Sequence, residues 1–156
     1  LWAEKLEDRG RLAPFSVVID SPPVEKTTPE FPLRLPTGRR LDSYNTGVQS
    51  GGFESPLRMA ETVDLSPEDA ISMGIIDGEI VRITSPRGTV DAPARIDDGL
   101  RPGLVFMTPH FPNEVNTNLL TIEAIDPKSG TAEFKAAAVR IDKILKSDMR
   151  VPVAGE

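Results

Sequence analysis

The residues able to do chemistry in this chain are few. It has a single histidine, His110, and no cysteine. Thiolate nucleophiles, thiolate metal ligation and disulfides are therefore excluded within it, and so is a multi-histidine metal site. A serine–histidine nucleophile pair would have to use His110, whose plain alternative is a hydrogen-bonding residue in a turn. Carboxylates are numerous but dispersed, and Glu68 and Asp69 are accounted for by helix capping. What remains is binding chemistry. Thr37-Gly38-Arg39 unites a hydroxyl, an approachable backbone N–H and a guanidinium fork, a donor set suited to pyrophosphate or a planar polar ligand. Read blandly, it is a turn. From Leu33 to Arg58, four arginines (Arg34, Arg39, Arg40, Arg58) face two carboxylates (Asp42, Glu54), a local positive excess in a chain of net charge −6. Asn116-Thr117-Asn118 can offer amide donors and acceptors to a ligand edge, or simply make a turn. Lys135, after Phe134, is either a ligand-facing cation or a snorkelling surface lysine.

These residues need elements to position them. Leu33–Thr37 alternates apolar and polar side chains before Gly38, the pattern of a half-buried strand ending in a turn. Arg39–Pro56, rich in glycine and serine, has no periodicity and reads as a long loop, of the kind that binds something. Ser66-Pro67-Glu68-Asp69 is a helix start, with a short helix from about Pro67 to Met73 and Gly74 as its left-handed stop. From Ile80 the period is two, with Val81, Ile83 and Ser85 on one face and Ile80, Arg82 and Thr84 on the other. Ser85-Pro86-Arg87-Gly88 turns the chain into a returning strand, Thr89–Ile96. Leu104–Met107 and Ala136–Ile144 supply further strands, and Phe15–Ile19 a short one before the proline-rich Asp20–Pro32. Mostly strand with one short helix predicts a small barrel.

Composition bounds the rest. At 156 residues the chain is the size of one domain, with 38% hydrophobic and only 5% aromatic residues, so its core is aliphatic. Its acidity opposes nucleic-acid binding. No apolar run approaches the roughly 20 residues that span a bilayer, and no signal-peptide core opens the chain. A start at Leu1 instead of methionine fits a piece of something longer. The absence of cysteine fits a reducing compartment, and the expected location is cytoplasmic.

Several separated motifs occur together in order: Phe31–Arg39, Tyr44-Asn45-Thr46-Gly47, Ser66–Gly74, Arg101–Met107, His110-Phe111, Asn118-Leu119-Leu120-Thr121, Asp126-Pro127 and Glu133-Phe134-Lys135. This series resembles the carboxy-terminal dinucleotide-binding domain of molybdopterin oxidoreductases, in the formate dehydrogenase branch. The resemblance covers about Phe31–Leu145. It implies a mainly β fold with short helices, a double-psi β-barrel of the aspartate-decarboxylase-like kind over residues 31–147. Residues 1–30 would be a linker or wrapping arm and 148–156 a tail. It further implies that the domain caps a bis(molybdopterin guanine dinucleotide) carrying molybdenum or tungsten, shared with the remaining domains of the subunit. Thr37, Gly38 and Arg39 would contact the pterin–pyrophosphate region, Asn45, Thr46 and Gly47 would continue that wall, and His110, Asn118 and Lys135 would approach from later loops. Many relatives have histidine where this chain has Asn45, which keeps a donor and loses a titratable ring. The family's metal ligand and catalytic pair have no counterpart here. Electrons would leave through iron–sulfur clusters to an acceptor such as NAD on a partner subunit. No catalytic residue and no metal ligand is expected in this chain.

Two other readings compete. One is a stand-alone binding or adaptor barrel without cofactor. The other is a self-processing, pyruvoyl-forming decarboxylase, suggested by Gly74-Ile75-Ile76-Asp77-Gly78-Glu79-Ile80-Val81-Arg82-Ile83. That chemistry requires a Gly-Ser bond, and the chain has no such dipeptide.

Overall fold

Apolar residues at alternate positions give a strand one face for the core, and this pattern builds the molecule. The computed structural model describes residues 17, 19–40, 60–127 and 129–144. Within them β1 is Leu33–Leu35, β2 Val63–Leu65, β3 Ile80–Thr84, β4 Thr89–Ile96, β5 Val105–Phe106 and β6 Ala137–Lys143, with helix α1 at Pro67–Met73 and a 3-10 turn at Thr117–Leu119. The spatial order is β1-β6-β3-β4-β2-β5. Pairing is antiparallel throughout this order except between β4 and β2, which run parallel. Parallel bridges at Arg34–Leu104 and Thr37–Met107 then join β1 to β5. That last seam all but closes a six-stranded barrel and leaves little open edge. The small, mainly β barrel expected from the sequence is what the chain forms.

Inward residues fill the barrel. Leu35, Leu65, Ile83 and Val139 are fully buried, and Val63, Val81, Val105, Met107 and Leu120 pack with them. Each such side chain contributes about 1.5–3 kcal/mol by leaving water. Pro93, which lacks an N–H, sits where β4 changes neighbours: residues up to Pro93 pair with β3, and Ala94–Ile96 pair with β2. A missing donor is tolerated at such a handover.

Helix α1 follows its start signal closely. The Ser66 side chain accepts the Asp69 N–H at 3.1 Å, Pro67 opens the first turn, and Gly74 ends the helix at φ 65°. Asp69 in turn accepts the Gly103 N–H at 2.8 Å, fixing the turn before β5.

Of the proline-rich segment, residues 24–31 lie along the barrel as a strap. The Val24 N–H donates to Glu133, Glu25 pairs with Arg87, and the Arg140 guanidinium stands 5.5 Å from the Phe31 ring centre. The strap also lies at a departure from alternation. Ala136, Ala137 and Ala138 are all buried, at the start of β6 where the Glu25 carboxylate accepts the Ala138 N–H at 2.7 Å. Of the strand expected at Phe15–Ile19, only Val17 and Ile19 are described, and both are exposed and outside any strand; most of the loop Arg39–Pro56 lies outside the described residues.

Candidate functional site

Where β1 ends, three chain segments meet around a cleft of about 360 Å³. Thr37-Gly38-Arg39 leaves β1, Pro109 and Thr117-Asn118 come from the loop after β5, and Phe134-Lys135 precedes β6. Five of the residues singled out from sequence, Thr37, Gly38, Arg39, Asn118 and Lys135, thus line one cleft although up to 98 positions separate them in the chain. Asn45, Thr46 and Gly47 lie outside the described residues.

Their individual roles differ from the simplest expectation. Thr37 is buried, and its hydroxyl donates to the Phe134 carbonyl at 2.6 Å, locking the segment that carries Lys135 against β1. The Gly38 N–H was expected to face a ligand, yet it donates to the Met107 carbonyl at 3.3 Å, because the seam that closes the barrel uses it. Gly38 serves sterically: a Cβ there would lie 3.1 Å from the Phe106 ring. Only glycine lets β1 pass this ring without displacing it.

Arg39 and Lys135 are both exposed, and neither makes a hydrogen bond or ion pair among the described residues. Lys135 lies over its neighbour, its Nζ 5.8 Å from the Phe134 ring centre. The Asn118 N–H is used by Asn116, while its side chain is exposed. Thr117 points inward and donates to the Thr108 carbonyl at 2.8 Å. No carboxylate lines the cleft among the described residues. Two cations, an amide and an apolar floor suit an anionic, partly planar ligand.

His110 is not on the cleft surface. It is fully buried, and its Nε2 accepts the Arg40 N–H at 3.1 Å. It therefore holds the backbone immediately after Arg39. Arg40 turns the other way, with its guanidinium 5.3 Å from the Phe106 ring centre and paired to Asp64. Asp64, on β2, also takes a bidentate pair from Arg95 at 2.8 and 2.9 Å. Nearby, the buried Glu61 accepts the N–H and hydroxyl of Thr108. The sequence offered no signal for Glu61 or Asp64, since neither stands in a motif. Thr117 and Phe134 were visible only as members of polar or mixed clusters.

Comparison with known proteins gives this cleft a context. Residues 33–138 match the family described as Molydopterin dinucleotide binding domain. Among curated relatives, the F420-dependent formate dehydrogenase 2 subunit alpha of Methanococcus maripaludis is 39% identical over 146 residues, which is 92% of this chain and 21% of that protein. The assimilatory nitrate reductase catalytic subunit of Bacillus subtilis is 34% identical over 145 residues, 90% of this chain and 20% of the relative. The chain thus spans about a fifth of the length of these relatives. Among solved structures, acetylene hydratase from Pelobacter acetylenicus superposes with a TM-score of 0.63 over 74% of this chain and 19% of that one, at 16% identity, a likeness of fold.

Proposed function

Because the chain belongs to the Molydopterin dinucleotide binding domain family, we propose that it is the cofactor-capping domain of a formate-dehydrogenase-like catalytic subunit, and that its cleft holds the pyrophosphate side of a molybdopterin guanine dinucleotide. One observation carries the reading: Arg39 and Lys135 stand exposed and without counter-ion at a cleft free of carboxylates among the described residues. Exposed cations with no ion pair among the described residues are what an anionic ligand requires. Asn118 would orient a polar edge, while Thr37, Gly38 and His110 keep the two cationic segments in place.

When bound, the molybdenum or tungsten centre supplies two-electron redox chemistry, here the oxidation of formate to CO2. This chain's share is to bind, orient and exclude water. On this reading residues 31–147 would be the cap, 1–30 a linker or wrapping arm and 148–156 a tail. The remaining domains of the subunit would supply the metal ligand, and iron–sulfur and NAD-linked subunits would carry electrons away, in a cytoplasmic enzyme. A nitrate-reducing subunit is the second reading, favoured by the 34% identity to the nitrate reductase relative.

In the full-length subunit, Arg39→Ala should lower the guanine and molybdenum content of the purified protein. Unchanged content refutes the cleft assignment. Formate and nitrate assays of the same preparation separate the two substrates. The isolated chain, offering one wall of a cleft, should bind the dinucleotide weakly, and submicromolar affinity in calorimetry would contradict this.

A further inference from the structure

The strap touches more of the cleft than its distance in sequence suggests. Glu25 and Arg87 form a bidentate pair at 2.6 and 2.9 Å, although Arg87 belongs to the β3–β4 turn. The same guanidinium donates to the Leu120 carbonyl from Nε at 3.3 Å and from NH2 at 2.9 Å. Leu120 closes the 3-10 turn that presents Asn118. Beside it, Gly88 lies so close that a Cβ would come within 2.8 Å of the Leu119 carbonyl oxygen. The turn carrying one cleft segment is thus pressed onto the hairpin and held there by Arg87.

Glu25 also reaches a second segment. Its carboxylate accepts the Ala138 N–H, and its carbonyl accepts Arg34 NH1 at 2.5 Å. Arg34 NH1 donates as well to the Ala136 carbonyl at 2.7 Å, next to Lys135. One residue further back, the Val24 N–H holds Glu133, next to Phe134. The Asn118 turn and the Phe134-Lys135 segment therefore share an anchor in residues 24 and 25. None of these hydrogen bonds is needed to close the barrel, whose seams are made by the strands themselves.

We propose that Glu25 and Arg87 are positioning residues that clasp the two later segments of the cleft together, so that the strap sets the geometry in which Asn118 and Lys135 meet the dinucleotide. The inference rests on the cofactor-capping reading above. Burial works to raise the Glu25 pKa, but the Arg87 hydrogen bond, the Ala138 N–H and the charges of Arg87 and Arg34 outweigh it, so the carboxyl titrates below the usual glutamate range.

The test uses the full-length subunit with cofactor bound and follows two quantities, guanine-nucleotide loss during prolonged gel filtration and the thermal midpoint. Glu25→Gln and Arg87→Lys should each lose nucleotide several-fold faster than the parent. Arg82→Lys breaks an equally bidentate pair, with Asp91 on the exposed hairpin, and should not. If Glu25→Gln does not fold, Arg87→Lys, which keeps the charge and loses the fork, carries the test. Loss no faster than in Arg82→Lys at a matched thermal midpoint overturns the clasp. Arg39→Ala separates the two claims: if it sheds nucleotide while Glu25→Gln and Arg87→Lys do not, the clasp alone fails, and if it retains nucleotide, the cleft reading falls and the clasp with it.

Discussion

Two groups of charges lie within the same small barrel and are treated in opposite ways. At Asp64, a carboxylate with only 1% of its side chain exposed is saturated by Arg40 and Arg95, and Glu61 beside it is saturated by Thr108. At the cleft, Arg39 and Lys135 are exposed and make no ion pair among the described residues. Neighbouring arginines divide between the groups: Arg40 is spent inside the protein, while Arg39 is left at the cleft. The contrast teaches how to separate charges that hold a fold from charges that hold a ligand. In the first, the buried carboxylates are each met by donors, because an unpartnered buried ion is expensive. The second lose nothing by being exposed until a ligand arrives.

The contrast is broken most severely at Asp64. Asp64→Ala removes the buried carboxylate that Arg40 and Arg95 share, leaving Arg95 with Asp97 alone, and should destabilise the barrel by about 3 kcal/mol or more in urea unfolding, a large part of the roughly 5–15 kcal/mol that holds a domain together. Glu61→Gln should cost less, about 1–3 kcal/mol, since the amide keeps one acceptor and misplaces a donor against the Thr108 hydroxyl. An effect near zero at either position would mean that these charges are not structural.

A third test uses pH. Because Glu25 titrates below its ordinary range in the folded chain, its contribution is present at and above that range and fades as pH falls through the lowered value. The stability gap between the parent chain and Glu25→Gln should therefore narrow on acidification and stay constant above neutrality. The smallest effect is expected at the cleft itself. Arg39→Ala in this chain should change unfolding free energy by no more than about 0.5 kcal/mol, however strongly it affects cofactor content in the full subunit. A large loss of stability would move Arg39 into the structural group.

Local signals were legible wherever one element decides its own shape. The Ser66–Gly74 helix and the hairpin around Ser85–Gly88 follow from capping, proline, glycine and a change of period, and they stand where those signals put them. Motif order also brought out Thr37, Gly38, Arg39, Asn118 and Lys135, which share a cleft. Long-range choices were not legible. Nothing near Gly38 announces that its N–H closes the barrel on Met107, and nothing near His110 announces that it lies beneath the surface holding Arg40. Asp64 lies in a three-residue strand buried at every position, so alternation had no outward face to reveal. Glu25 and Arg87 are 62 residues apart and carry no local pattern. In each case the partner belongs to another element, and only the closed barrel brings the two together.

That Arg39 and Lys135, unpaired by any carboxylate among the described residues, mark the ligand site is tested most directly by titrating the isotope-labelled chain with guanosine diphosphate at millimolar concentration and following backbone amide shifts. Weak binding is expected, with shifts concentrated at Gly38, Arg39, Asn118 and Lys135. Shifts that spare these amides and gather instead on the outer sheet face around Arg82 and Arg140 would contradict it.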